Sequence, residues 1–433
     1  MLEIFKILLA LFVFSVTIFV PLNIFSKKKN FTNCTSLDLA SFNLIINSSL
    51  LLIFSLLPLS LISYSYILYL ILIVYFLYSY FLKYKNFIFF KKTFFSLLII
   101  SIVYLIISID VASKLELGWD AKFFYYIKAL FFVEGQNFYD LNNFEYSFHP
   151  HLGSYFWAFY WKLIDNNLEY IGRLFYVFIS CFSFFYVCKK SLEEKNSNIV
   201  IFIILLFFFY KYERFSGLQE ILIFSYLILI SKFYENIIKN KNILFFIFFL
   251  LSCNLILWIK AEGIVYLAIL LIILCLSKKI KLKEKIYFNL ILFLFVLFKF
   301  LIYEISENVM VDKSGHPYEF DYLINLNFDF VIYKLKLIIP FLIYYSLNNI
   351  IFMSGILILI YNKFYNLNKE YNNSVILYLF LTTGFIFSAY LFRDMEIEYS
   401  IRTTMERIIF TISGFYVLTV ANFFNNYLKK LKI

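Results

Sequence analysis

The chain has 433 residues, 63% hydrophobic and 15% charged, with a mean hydropathy of +0.82 and a formal net charge of +11. That balance excludes an ordinary soluble domain, in which about half the residues are apolar and about a quarter charged. Unbroken apolar runs, rather than alternating polarity, exclude a transmembrane barrel as well.

In chain order, runs of roughly the 17–25 residues that a membrane-crossing helix needs are predicted near 4–25, 40–62, 64–82, 93–109, 168–187, 197–210, 218–234, 242–259, 262–277, 286–303, 348–362, 374–392 and 405–427. The segment 331–346 reads as interfacial, re-entrant or one further crossing. The expected fold is an all-α polytopic bundle of about 13 transmembrane helices. The run 4–25 is read as a retained helix, because it is longer than a signal-peptide core and lacks a small-residue cleavage site. One membrane domain is expected throughout. It divides into N-terminal helices (1–109), an external loop carrying an amphipathic helix (110–167), central helices (168–303), a lid-like external loop (304–347) and C-terminal helices (348–433). The five cysteines show no metal-binding spacing and predict no structural disulfide.

Lysine clusters fall at 27–29, 83–92, 189–195, 232–241, 278–285, 363–369 and 429–432. Short cytoplasmic loops retain such charge, and the predicted spans bring all seven clusters to one side, with the N-terminus on the other. That other side receives the five arginines (Arg173, Arg214, Arg393, Arg402, Arg407) and the histidines His149, His151 and His316. It also receives the tryptophans Trp119, Trp157, Trp161 and Trp258. Guanidinium offers a rigid two-pronged fork for phosphate or carboxylate, which ammonium does not. Arginines gathered against the positive-inside trend therefore predict an anion site on the non-cytoplasmic face. Snorkelling at helix ends, with local pairing to Glu213, Asp394 and Glu406, is the plainer reading of the same pattern.

Four stretches on that face carry the chemistry. In "GWDAKFFYYIKALFFVEG", Asp120 stands at the membrane surface before an amphipathic segment, where a carboxylate is suited to accept a proton from an attacking hydroxyl. It reads also as a helix N-cap. "SGLQE" holds Glu220, "WIKAEG" holds Lys260 and Glu262, and "SIRTTMERIIF" holds Arg402 and Arg407. Lys260 and Glu262 make equal sense as a turn pair. Trp119 and Trp157 are candidates for stacking on a sugar, or members of an interfacial aromatic belt. His149 and His151 lack a third metal ligand at suitable spacing.

These stretches, together with "HPHL" from His149 to Leu152, resemble in order the landmarks of the GT-C polytopic glycosyltransferases. That superfamily includes the protein O-mannosyltransferases and the lipid A aminoarabinose transferases. The resemblance spans Gly118 to Arg407. Ala121 stands where the family's double-acid version has a second acid, and no proline follows the closing arginine. It implies a GT-C-like bundle and an inverting transfer of sugar from a polyprenyl-phosphate donor to a lipid, glycan or protein acceptor. In that reading Asp120 is the catalytic base. Arg393, Arg402, Arg407, Arg214, Lys260, Glu262, Glu220 and His149 bind donor phosphate or sugar, and the loop with Lys313 and His316 covers the site. No soluble cofactor and no nucleic acid are called for, and a divalent metal finds no support. The expected location is a bacterial plasma membrane with the site facing outward. An O-antigen polymerase or ligase would use outward arginines similarly, but usually carries its large loop late in the chain. A flippase or transporter should show internal repeats and mid-membrane charges; no repeat is visible, and Lys299 is one of few charges within a span.

Overall fold

In lipid a backbone N–H or C=O finds no water, so an apolar chain satisfies its own polar groups by coiling into helices. The computed structural model describes residues 2–19, 34–61, 63, 67, 70, 71, 74, 89–143, 149–165, 167–189, 197–240, 242–307, 328–365, 369–392 and 397–430. Among the described residues there is no strand. The helices are α1 (Leu2–Phe19), α2 (Ser36–Ser55), α3 (Phe89–Lys114), α4 (Tyr126–Val133), α5 (Leu152–Ile164), α6 (Tyr170–Cys188), α7 (Ser197–Phe209) and α8 (Glu220–Asn240). They continue as α9 (Ile243–Ile259), α10 (Gly263–Leu276), α11 (Leu282–Ile305), α12 (Phe328–Asn348), α13 (Ile350–Phe364), α14 (Lys369–Leu391), α15 (Ile397–Ser413) and α16 (Val417–Lys430).

By length and apolarity, 8 helical segments among the described residues are able to cross a membrane: α2, the Leu97–Lys114 part of α3, α6, α8, α11, α12, α14 and the joined α15–α16. Shorter apolar helices include α9, α10 and α13, fewer than 18 residues each. The long helices are compatible with an integral membrane protein.

Helix α6 is buried along its whole length and α8 nearly so, whereas α11 and α12 present most of their surface outward. In lipid apolarity alone does not hold helices together, so packing and small polar contacts must. Ser180 Oγ meets Ser225 Oγ at 3.0 Å between α6 and α8, and Tyr226 donates to Ser48 Oγ at 2.8 Å between α8 and α2. Interdigitated rings fill the remaining space. Phe14 of α1 meets Tyr160 edge-on at 4.8 Å, and Phe42 stacks on Phe248 at 3.9 Å.

The bundle has two chemically distinct ends. At one, Tyr186 donates to Asp38 Oδ1 at 2.6 Å, Asn425 to Cys188 O at 3.2 Å, and Lys279 N to Glu370 Oε1 at 2.8 Å. The lysines at 232–239 and 278–285 lie at this end. The other end gathers the turns 115–120, 210–219 and 260–262. It also holds Lys6 of α1, paired with Asp165. The 19 residues of α6 separate the two ends by about 28 Å, close to the roughly 30 Å of bilayer hydrocarbon.

Two elements differ from the sequence expectation, and a third falls within one of the readings left open for 331–346. The second half of the loop 110–167 is helix α5, buried from Leu152 to Trp161, because nearly every position there is apolar or aromatic and no solvated face exists. The predicted lid 304–347 contains α12, a 21-residue apolar helix. Its Lys334 donates to Leu391 O at the end of α14, and its Tyr345 reaches Arg402 O on α15. The last predicted span, 405–427, is interrupted by a 3-10 turn, Gly414–Tyr416. The lid residues Lys313 and His316 lie outside the described residues.

Candidate functional site

Asp120 follows an extended turn from α3 and opens a π-helical segment, Ala121–Tyr125, that runs into α4. Such wide turns often occur at functional sites. Its side chain makes no capping hydrogen bond. Instead Asp120 Oδ2 pairs with Arg407 Nη1 of α15 at 2.5 Å.

Arg407 also reaches across to Glu220, the first residue of α8, with Nε 2.6 Å from Oε1. Lys260, from the turn between α9 and α10, donates to the same Glu220 oxygen at 2.9 Å and to Glu262 Oε1 at 3.0 Å. Three carboxylates and two cations from four separate stretches thus form one connected network. Side-chain exposure rises from 4% at Glu220 through 15% at Lys260 to 25% at Asp120 and 33% at Glu262. The network is sealed at its base and open at its rim. Glu220 Oε2, at the base, is buried without a hydrogen-bond partner.

The charges of this group sustain one another. Burial alone would discharge Lys260, but the carboxylates of Glu220 and Glu262 overcome it and raise the ammonium above its ordinary range. Burial likewise pushes Glu262 upward, and Lys260 outweighs it and holds the carboxyl below its ordinary value.

Local backbone chemistry sets these positions. Gly217 has φ of +90°, and a Cβ there would lie 2.8 Å from the Trp157 ring and 2.9 Å from Ala121 Cβ. Only glycine lets the turn before Glu220 pass so close to the segment carrying Asp120. Gly263 serves the other turn, since a Cβ would meet Ile256 O at 2.2 Å. Gly118 N donates to Ser216 O at 2.9 Å, tying the approach to Asp120 to the approach to Glu220.

Of the residues singled out from sequence, Asp120, Glu220, Lys260, Glu262 and Arg407 are brought together. Others are placed elsewhere. Arg402 is exposed and paired with Glu398 at 2.6 Å. Arg214 sits between the Phe209 and Phe410 rings, 5.0 and 4.4 Å from their centroids. The His149 ring lies 4.6 Å from that of Phe124, tilted by 38°, and its carbonyl accepts from Lys128. Trp157 is wholly buried, its indole donating to Glu169 O at 2.9 Å, which leaves no open face for a sugar. Trp119 is 68% exposed beside Asp120 and leans on Phe123. Arg393 lies outside the described residues. Among the described residues no group of three or more His, Cys, Asp or Glu is arranged to hold a metal ion.

Sequence reasoning counted Arg173 among the outer-face arginines but gave it no role of its own. It is fully buried, pairs with Glu169 at 2.8 Å, and donates to Glu116 O and Phe215 O at 3.2 and 3.3 Å. These carbonyls belong to the two chain segments that lead into Asp120 and Glu220. The i,i+4 spacing of Glu169 and Arg173 is the signal that marks such a pair.

Comparison with known proteins returns no matching family model, curated protein or solved structure.

Proposed function

We propose that the protein is a membrane glycosyltransferase of GT-C type, moving a sugar from a polyprenyl-phosphate donor to a lipid, glycan or protein acceptor. The observation that carries this reading is the Asp120–Arg407 pair, at 2.5 Å, above the Glu220–Lys260–Glu262 group. An acid able to take a proton and a guanidinium able to hold phosphate stand side by side at the rim of a half-closed site. In this reading about 13 crossings set the site on the non-cytoplasmic face, opposite the lysine-rich end. Nucleotide sugars are lacking there, so the donor arrives on lipid.

The network suggests how binding leads to chemistry. With all five groups ionised it holds three negative and two positive charges, so Asp120 occupies Arg407 when no donor is bound. An incoming phosphate takes the guanidinium fork, which it fits bidentately, and releases Asp120. The freed carboxylate is then open to the acceptor. It accepts the proton of the acceptor hydroxyl as that oxygen bonds to the anomeric carbon. The bond from this carbon to the phosphate oxygen breaks, and the electron pair leaves with the polyprenyl phosphate. Arg407 and Lys260 stabilise that charge from fixed positions in a water-poor site. Inversion at the anomeric carbon follows from the family resemblance.

The test is Asp120→Asn in membranes supplied with radiolabelled polyprenyl-phosphate sugars. Transfer is expected to fall by about 10²–10⁴-fold at unchanged protein abundance. Undiminished transfer would remove the proposed base.

A further inference from the structure

The ionised groups of the network are not equally free to move. Glu220 is sealed, with 4% of its side chain exposed, while Asp120 and Glu262 stand at the rim at 25% and 33%. Glu220 is also the most heavily tied. Its Oε1 accepts from Arg407 Nε at 2.6 Å and from Lys260 Nζ at 2.9 Å, and Arg407 reaches it through Nη2 as well. Two cations held to one oxygen in this way stand no more than about 5.5 Å apart, and they would repel strongly without it. Asp120 is paired with Arg407, and Glu262 with Lys260.

A phosphate entering from the rim meets these groups in order of exposure. It can turn aside the two outer carboxylates, whose charge water then solvates. It cannot turn aside Glu220, which is sealed at the base and whose departure would leave two close cations unbalanced. What remains for the ligand is a fixed triad of Glu220, Arg407 and Lys260, one carboxylate against two cations, with a single net positive charge.

We infer that Glu220 is a specificity-determining residue: it sets the triad to one net positive charge, which matches a phosphodiester and rejects a pyrophosphate diester. This inference rests on the glycosyltransferase reading and names the class of donor that the site admits. A sugar linked to polyprenyl phosphate is a phosphodiester and carries one negative charge. The pyrophosphate-linked equivalent carries two, and its second charge would lie uncompensated beside the Glu220 carboxylate in a water-poor site. The two cations are also spaced for one phosphate, which can offer an oxygen to each. During transfer the departing phosphate gains a second charge, but Asp120 loses one as it takes the acceptor proton, so the balance set by Glu220 holds throughout.

The probes are farnesyl methyl phosphate and farnesyl methyl pyrophosphate, diesters that share one tail and differ by one negative charge. Their binding to the purified protein in detergent is measured calorimetrically near neutral pH. The wild-type protein should bind the phosphate at least about tenfold more tightly than the pyrophosphate. Glu220→Gln, which removes the charge and keeps the shape, should reduce that ratio by at least about tenfold, chiefly by strengthening pyrophosphate binding. Glu220→Asp keeps the charge and should keep the preference. A wild-type protein that binds the two equally, prefers the pyrophosphate or binds neither would overturn the inference, as would a preference unchanged in Glu220→Gln. A preference lost as fully in Glu220→Asp as in Glu220→Gln would overturn it too, by making the residue structural. If Glu220→Gln does not fold, the wild-type and Glu220→Asp ratios decide on the same terms. Turnover of polyprenyl-phosphate sugars by the wild-type protein tests the transferase reading separately. No turnover with the preference intact would remove that reading and leave the charge selection; turnover without the preference would do the reverse.

Discussion

Lys128 carries an ionisable group on a side chain with no exposed surface, on the helix that follows Asp120. Burial pushes its ammonium down to about 7, against an ordinary value of about 10.4. Between those values the unfolded chain binds a proton that the folded chain does not, so this group makes stability rise with pH across that window. Lys128→Met removes the contribution. The midpoint advantage of the mutant over wild type in detergent should shrink steadily from pH 7 to pH 10. A constant difference would mean that the amine keeps its proton in the fold. The network residues are legible in the sequence because ionisable groups in so apolar a chain are confined to helix ends or held by partners. Their pairing is not legible. Asp120 reads locally as a helix cap, and its actual partner lies in the last third of the chain. Arg402 and Arg407 look equivalent in "SIRTTMERIIF", yet five residues turn a helix by roughly 140°, so only Arg407 faces Asp120.

At the scale of elements, the geometry of the network depends on two loops staying in register, and Arg173 is the charged side chain that ties them. Its guanidinium holds Glu169 one turn away and the carbonyls of Glu116 and Phe215, while Tyr212 donates to Glu116 O at 2.7 Å. Burial raises the Glu169 carboxyl and Arg173 opposes that rise, so the acid depends on its partner to stay ionised. Removing one member of such a buried pair costs about 3–5 kcal/mol, whereas replacing both by apolar groups costs far less. Arg173→Met should therefore lower the thermal midpoint sharply, and Arg173→Met with Glu169→Leu should recover most of it. A double mutant as unstable as the single would put the stabilisation in the two carbonyl contacts instead. Elements fixed by periodicity, such as α6, α8 and α11, are legible because a long apolar run has one good conformation in lipid. An element such as α5 is not, since an aromatic run without a polar face reads the same whether it packs inside the bundle or lies at its edge, and for α12 the reading of 331–346 stayed open for the same reason.

Among the described residues the two ends of the bundle differ in their charged groups. Lysines crowd the end where α8 finishes and α10 turns into α11, and the network occupies the end where α8 begins and α9 turns into α10. The helices between are about a membrane thick, so the proposed outward orientation follows from charge retention on the cytoplasmic side. The N-terminal helix fits that scheme, because the pairing of Lys6 with Asp165 puts its start at the network end. Single cysteines test the orientation directly once the half-buried native Cys34 and Cys275 are replaced by serine. Gln136 and Lys279 are both exposed, the first in the turn after α4 and the second between α10 and α11. In intact cells a membrane-impermeant maleimide should label Gln136→Cys and leave Lys279→Cys unmodified until the membrane is opened. The reverse pattern would turn the network toward the cytoplasm. Nucleotide sugars are abundant there, so the physical reason for a lipid-linked donor would disappear with the orientation.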